Sequence, residues 1–289
     1  MKVFIIGINS FIGSCFAKYL KERDIEIFGS SRSSEPKKEL ESVVSSYFQL
    51  YLNDEFDSKI FSNMDVIIYC AHSHKNKDNI KLNIEGTKKW YYAARKEGVD
   101  KHLFLTSYSA KENSLSEYAL IKYELETFFL KEKQFVIRPG LVLGNGGLFL
   151  RMKKMIKSYP FLPLLDGGNY KVPIISIWAL CETLYDIIKN PKPMIYNIFQ
   201  KEMVTMKELF QEIRLQLHSK CFFIPINSLL PLIFLKSLEF FKIPFSIKSS
   251  NIIALKENQE LSVKFSLDEI KVCDILLREI IQRLIEHRE

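Results

Sequence analysis

The opening stretch, KVFIIGINSFIGSCFAKYL, constrains this chain more than any other. Lys2 to Ile6 is a short, almost wholly apolar run, of the kind that makes a strand buried on both faces of a parallel sheet. Gly7 breaks it, and Phe11 to Leu20 reads as a helix with its apolar positions on one face. Strand, glycine turn and helix start in that order make an anion site, because backbone N–H groups and the positive helix end point at one place. The spacing is Gly7-x-x-Ser10-x-x-Gly13. Gly7 allows the tight turn, and Gly13 lets the helix pack close to the strand. Ser10 stands where a middle glycine is expected, so a pyrophosphate either approaches less openly or uses the hydroxyl. With the two glycines, Asn9, Ser10, Phe11 and Ile12 are the candidate phosphate-binding positions. The plainer alternative is an ordinary strand–helix turn.

At 289 residues the chain has room for one large domain or two unequal ones. Its 47% hydrophobic content describes a folded protein. The first apolar run is too short for a secretory leader, and no window offers the roughly 18 unbroken apolar residues of a membrane span. Cys15, Cys70, Cys181, Cys221 and Cys273 are scattered without a close pair. That argues for reduced thiols in a cytoplasm, and against a disulfide framework or a zinc site. A net charge of +7 suits an anionic small ligand, or simply a basic surface. No nucleic-acid partner is expected.

Further strands are expected at Ile25 to Ser30, Tyr47 to Leu52, Val66 to Cys70, His102 to Leu105 and Gln134 to Ile137. Between them lie short or long helical stretches, including Phe56 to Ser62 and Asn79 to Glu97, the latter stopped by Gly98. This alternation argues for an α/β fold with a Rossmann-type doubly wound parallel sheet. In such a sheet the end of the second strand meets the adenosine ribose. An acid there selects NAD; here Ser31 and Arg32 stand instead, and a guanidinium suits a 2′-phosphate. NADP is the expected cofactor, with NAD the alternative. The end of the fourth strand, Cys70-Ala71, is expected to pass over the adenine side. His72 and His74 are two apart with no third ligand nearby, so no metal site is expected.

After Gly144 the character changes. Asn145-Gly146-Gly147, Pro160, Pro163 and Gly167-Gly168 are expected to mark loops around a basic helix, Phe149 to Lys157. Trp178 to Lys189 reads as a helix, and Met194 to Phe199 as a strand able to join the main sheet. Thr205 with Glu208 marks the start of an amphipathic helix. Pro225 to Phe245 is rich in Leu, Ile and Phe; it is the core of a small second domain or a membrane-surface face. The tail, Ser266 to His287, ends in another amphipathic helix. The expected division is a dinucleotide-binding domain over 1–145, with 173–199 returning to it. A smaller C-terminal substrate domain is expected from 146–172 and 200–289.

Tyr118 and Lys122 stand four apart on a helix whose start is assigned to a capping box of Ser114 and Glu117. A free tyrosine, with a pKa of about 10, is a poor acid–base at neutral pH. A nearby ammonium favours the phenolate and lowers that value. Tyr92 with Lys96 and Tyr185 with Lys189 repeat the spacing. Only Tyr118 follows a strand ending in hydroxyl residues, at the edge where open α/β sheets bind ligands. Ser107 can there donate a hydrogen bond to a substrate oxygen while Tyr118 moves the proton. The alternative is a surface tyrosine beside a solvated lysine.

These residues resemble the extended short-chain dehydrogenase/reductase group, the NAD-dependent epimerase/dehydratase family. The resemblance is carried by Gly7 to Gly13, Cys70-Ala71, Asn83-Ile84-Glu85-Gly86-Thr87 and Leu105-Thr106-Ser107. It continues through Tyr118-Ala119-Leu120-Ile121-Lys122, Arg138-Pro139-Gly140-Leu141-Val142-Leu143-Gly144 and the helix entry Val204 to Leu209. It implies that Tyr118 is the acid–base, that Lys122 binds the nicotinamide ribose and tunes Tyr118, and that Ser107 polarises the substrate oxygen, with Thr106 second to it. It implies a nucleotide-linked sugar as substrate, in a role such as surface polysaccharide biosynthesis. On the same resemblance, helices such as Asn79 to Glu97 could pair two subunits as a homodimer.

Three departures from the family pattern stand out: Ser10, a short segment between Ser107 and Tyr118, and no acid at Ile177-Trp178-Ala179-Leu180. The loop after Ser107 lacks the extra acid–base pair of the dehydratases, which favours a simple keto-reduction or alcohol oxidation over dehydration. Two alternatives remain: a reductase of lipid-linked or hydrophobic carbonyl substrates, and a regulatory protein that binds the cofactor without turnover.

Overall fold

The computed structural model describes residues 1–73, 79–189, 192–229, 231 and 275–286. His74, Cys273, most of the apolar stretch from Pro225 to Phe245 and the first part of the tail lie outside the described residues.

In chain order the elements are β1 (Lys2–Ile6), α1 (Phe11–Lys21), β2 (Glu26–Ser31), β3 (Ser46–Gln49), β4 (Val66–Tyr69) and α2 (Asn79–Lys96). Next come β5 (Lys101–Leu105), α3 (Glu117–Lys131), β6 (Phe135–Pro139), β7 (Leu141–Leu143), α4 (Gly147–Ser158) and β8 (Phe161–Leu165). Then follow β9 (Lys171–Val172), β10 (Ile174–Ser176), α5 (Ile177–Lys189), β11 (Ile195–Ile198), β12 (Val204–Thr205), α6 (Met206–Gln216) and β13 (Phe222–Ile226). A final helix covers Leu277–Glu286.

The chain forms two compact units. One comprises Met1–Glu112, Ile121–Arg138 and Leu180–Tyr196; the other Asn113–Leu120, Pro139–Ala179 and Asn197–Glu289. A seven-stranded sheet runs in the order β11-β6-β5-β4-β1-β2-β3. From β3 to β6 this is the doubly wound Rossmann order. Its pairings are parallel, with Val3 opposite both Ile27 and Val66. β11 extends it beside β6: the Val136 N–H donates to the Met194 carbonyl and the Gly140 N–H to that of Ile198. The step is the same on both strands, so this pair is parallel too.

β4, and β1 after Lys2, are apolar because both their faces are covered; Val3, Phe4, Ile5, Val66, Ile67 and Ile68 are fully buried. On one face Phe4, Phe61, Trp90, Phe104 and Phe129 form an aromatic core. His102 sits in it, fully buried. Its Nε2 is 3.0 Å from the Val99 carbonyl and its Nδ1 is 2.9 Å from the Tyr69 hydroxyl. A carbonyl can only accept, so Nε2 carries the proton and Nδ1 accepts from Tyr69. Burial pushes the imidazole pKa down to about 4. His102 is a satisfied core histidine.

Two expectations are corrected. The segment around Pro160, read as loop, contains β8, which pairs in parallel with β13. Each strand carries a proline, Pro163 and Pro225, and a two-stranded ribbon tolerates them because every strand has an unpaired edge. The start of α3 is capped by Ser116 instead of Ser114: the Leu120 N–H donates to the Ser116 carbonyl, and the Ser116 Oγ lies 3.5 Å from the Ala119 amide. Ser114 instead accepts the Ser116 N–H in a serine turn before the helix. The capping box at α6 is present as expected, with the Thr205 Oγ1 accepting from the Glu208 N–H and Glu208 from that of Thr205.

Candidate active site

The turn after β1 is built by close backbone approach. Gly7 has φ +84°, and a Cβ there would lie 2.6 Å from the Ala71 nitrogen. The end of β4 therefore crosses directly over the turn, which any side chain at position 7 would push away. A Cβ on Gly13 would lie 2.6 Å from the Gly7 carbonyl oxygen. Ser10 is the N-cap of α1 and its Oγ accepts the Gly13 N–H at 3.1 Å. The hydroxyl that replaces the expected glycine thus closes its own helix. The amides of Phe11 and Ile12, in the first turn of α1, are those a helix leaves without an internal acceptor, and they face the anion position of a helix N-terminus.

Beside this turn lies a cavity of about 800 Å³. Gly7, Asn9, Ser10, Ser31, Arg32, Cys70 and Ala71 are among its walls, as are Leu52 and Trp90. None of the described lining residues is an Asp or Glu. Asn9 ties the turn to the end of β2: its Nδ2 is 3.1 Å from the Ser31 Oγ and 3.0 Å from the Glu35 carbonyl, and its Oδ1 accepts the Lys37 N–H. The Tyr47 hydroxyl donates its one proton to the Ser33 carbonyl at 2.7 Å. Across the 2.7 Å contact between Ser31 and Tyr47, Ser31 is therefore the donor. Ser31 also accepts from Asn9 and from the Ser33 N–H, so its hydroxyl is fully used. Arg32 remains exposed at the cavity wall.

The motif Asn83 to Thr87 has a local reason. Asn83 holds the backbone of Ser73, accepting its N–H at 2.8 Å and donating to its carbonyl at 3.0 Å. Gly86 lets α2 pass Leu52, whose carbonyl oxygen would lie 2.7 Å from an added Cβ.

α3 carries Tyr118, Lys122 and Glu126 at successive turns of one face. Lys122 is only 5% exposed, and its Nζ donates to the Leu105 carbonyl at 2.7 Å. Burial pulls its pKa down to about 8, against a smaller opposing effect of the Cys70 thiol. Burial pushes Cys70 up to about 12. Ser107, two residues beyond Leu105, stands in a turn, its Oγ 2.9 Å from that of Ser109. The Thr106 hydroxyl is buried and reaches the Lys122 backbone carbonyl at 3.4 Å, fastening α3 to β5. Tyr118 is half-buried in the first turn of α3.

Glu126 was not anticipated, although the four-residue step from Lys122 points to it. It is buried and ion-paired with Arg138 at the end of β6. Burial raises its pKa and the guanidinium opposes the rise. Among the described residues, no group of three or more His, Cys, Asp or Glu could hold a metal ion. No described helix is long and apolar enough to cross a membrane.

The parallel seven-stranded sheet with its flanking helices defines a Rossmann-type doubly wound fold. Residues 3–127 match the model of the NAD dependent epimerase/dehydratase family, the family its motifs resemble. No curated protein matches the chain. Among solved structures, UDP-glucose 4-epimerase of Thermotoga maritima aligns over 99% of this chain and 98% of its own, at 14% identity and a TM-score of 0.77. UDP-glucuronic acid 4-epimerase of Bacillus cereus, solved with UDP-glucuronic acid and NAD, covers 90% and 98% at 16% identity and a TM-score of 0.67. UDP-N-acetylglucosamine 4-epimerase of Methanobrevibacter ruminantium covers 99% and 97% at 14% identity and a TM-score of 0.69. At these identities the likeness is one of fold.

Proposed function

We propose that this protein is an NAD(P)-dependent oxidoreductase or epimerase acting on a nucleotide-linked sugar, with Ser107, Tyr118 and Lys122 as its catalytic residues. One observation carries the reading. Lys122 holds a buried amine at the C-terminal end of β5, two residues before Ser107 and one helical turn from Tyr118. A surface tyrosine beside a solvated lysine needs no such burial.

The residues around the cavity fit a dinucleotide. The turn from Gly7 to Gly13 would take the pyrophosphate on the Phe11 and Ile12 amides. Cys70 and Ala71 would flank the adenine side, and Arg32 the ribose. When bound, the dinucleotide supplies hydride acceptance and donation at its nicotinamide. Arg32, with no carboxylate among the described residues of the wall, favours NADP; relatives whose names state a cofactor state NAD.

In the mechanism, Ser107 Oγ donates to the substrate oxygen and holds it against the Tyr118 phenol. Tyr118 takes the hydroxyl proton on oxidation and returns one on reduction. Lys122, protonated in about the range where the enzyme would work, favours the phenolate. The relatives named as acting on UDP-sugars supply the substrate class.

The test is a screen against UDP-sugars with NADPH or NADH absorbance as readout, and epimer analysis of the products. Tyr118→Phe is expected to lower turnover by about 10²–10⁴-fold, with cofactor affinity almost unchanged. Near-wild-type turnover in that variant would remove Tyr118 from the mechanism.

A further inference from the structure

The β8–β13 ribbon presents an apolar face that the catalytic reading does not use. Phe161 pairs opposite Phe222, and Pro163 opposite Ile224. Alternation along β8 turns Leu162 and Leu164 inward, where both are buried, and Phe161 and Pro163 outward. Phe161 is 59% exposed, Phe222 64% and Ile224 47%. The rings of Phe161 and Phe222 stack with centroids 6.3 Å apart. Tyr159, just ahead of β8, is also exposed. Single exposed apolar residues are ordinary, but contiguous exposed apolar residues, as here, are the kind of patch that interaction sites present.

Among the described residues, the two segments that form and flank this ribbon carry charge of one sign. Residues 146–165 contain Arg151, Lys153, Lys154 and Lys157 and no acid; residues 218–229 contain His218 and Lys220 and no acid. Two hydrogen bonds join the segments: Ser219 Oγ to the Ile156 carbonyl at 2.6 Å, and the Phe222 N–H to the Pro160 carbonyl at 2.8 Å. Lys157 and Lys220 are thereby brought to the edge of the aromatic face. Asp166, the acid next along the chain after β8, has Oδ1 engaged by the Ser228 N–H.

We propose that this face is a peripheral docking surface for an anionic membrane. Phe161, Phe222 and Ile224 would insert at the boundary between headgroups and acyl chains, and Tyr159 suits the headgroup level, where its ring leaves water and its hydroxyl stays solvated. Each nearby lysine adds attraction to anionic lipid that fades within a Debye length. Charge selects this occupant over a second copy of the chain, because a two-fold contact would set like-charged edges against each other.

The test is sedimentation of the 289-residue chain with vesicles of phosphatidylcholine, with and without phosphatidylglycerol. Binding is expected only where phosphatidylglycerol is present, and it should weaken as salt rises. The double variant Phe161→Ser/Phe222→Ser should reduce it at least about tenfold, as should Lys154→Glu/Lys157→Glu. Melting temperature and any turnover in solution should not change. No sedimentation, equal sedimentation with phosphatidylcholine alone, or undiminished binding by the variants would overturn the proposal. So would a dimer that the phenylalanine variant dissociates in light scattering, which would give the face to a second copy. A large fall in that variant's melting temperature, with no vesicle binding by the wild type, would show instead that the face packs within the chain.

Discussion

Lys122 is where a sequence spacing acquires physical content. Its partner on the helix was legible from the four-residue step to Tyr118, but its burial was not, since that depends on β5, where the Leu105 carbonyl accepts from the amine and the Phe104 ring lies 4.8 Å from Nζ. Burial has a pH signature. An unfolded lysine titrates near 10.4, whereas in the folded protein the amine titrates at about 8. Below about pH 8 both states carry the ammonium and the folded state bears the full cost of burying it. Between the two values the unfolded chain binds more protons, so stability rises with pH. Wild-type protein without cofactor should therefore gain stability relative to Lys122→Met as pH goes from about 7 to 10, by roughly 3 kcal/mol at most. Urea unfolding at several pH values measures it; a constant difference would mean that the amine keeps its charge. Ser31 shows the opposite limit of legibility. Its place at the strand end was readable, but the Tyr47 hydroxyl that consumes it comes from another strand. Tyr47→Phe should release Ser31 and loosen the loop that carries Arg32. It should change cofactor affinity about two- to fivefold, by analogy with other single neutral hydrogen bonds, and leave kcat unchanged in steady-state assays.

At the scale of elements, the glycines separate function from simple geometry. Gly13→Ala puts a methyl 2.6 Å from the Gly7 carbonyl and 2.8 Å from the Ser10 Oγ, so the cap of α1 and the turn before it must both move. Gly98, at φ +82° after α2, has nothing within 4 Å of its Cβ position. Gly98→Ala should cost only about 1–2 kcal/mol of left-handed strain and leave cofactor titrations unaltered. Gly13→Ala should cost more than that in thermal unfolding and abolish dinucleotide binding. Equal effects on binding would deny the turn its assigned role. The elements of the first unit were readable because each buried strand is a short apolar run closed by a glycine or polar break. β8 and β13 were not, because Pro163 and Pro225 look like loop residues unless the strand is known to pair on one side only. The Ser116 cap was missed for a subtler reason: Ser114 with Glu117 fits the capping-box spacing, and only the backbone shows where the helical bonds begin.

For the whole molecule, strands alternating with helices left few arrangements open, since crossovers between parallel strands are right-handed. The order from β3 to β6 is the outcome. The addition of β11 was readable as an apolar strand able to join the sheet, but its place beside β6 was not, because residues 140–194 intervene. The sheet order puts the ends of β1, β2 and β4 around one cavity, so a dinucleotide held there would stabilise the folded protein as a whole. A ligand at about one hundred times its dissociation constant adds about 2.7 kcal/mol, which is roughly 5–10 °C in melting temperature for a unit of 150–250 residues. The choice between cofactors rests on Arg32. It is exposed, so its attraction to a 2′-phosphate is screened and worth about 0.5–1 kcal/mol, or two- to fivefold in affinity. At equal concentrations NADPH should raise the melting temperature more than NADH by roughly 1–4 °C, and Arg32→Leu should remove the difference while preserving the shift given by NADH. A larger shift with NADH in the wild type would align this chain with the relatives solved with NAD, and would reduce Arg32 to a solvated residue at the mouth of the cavity.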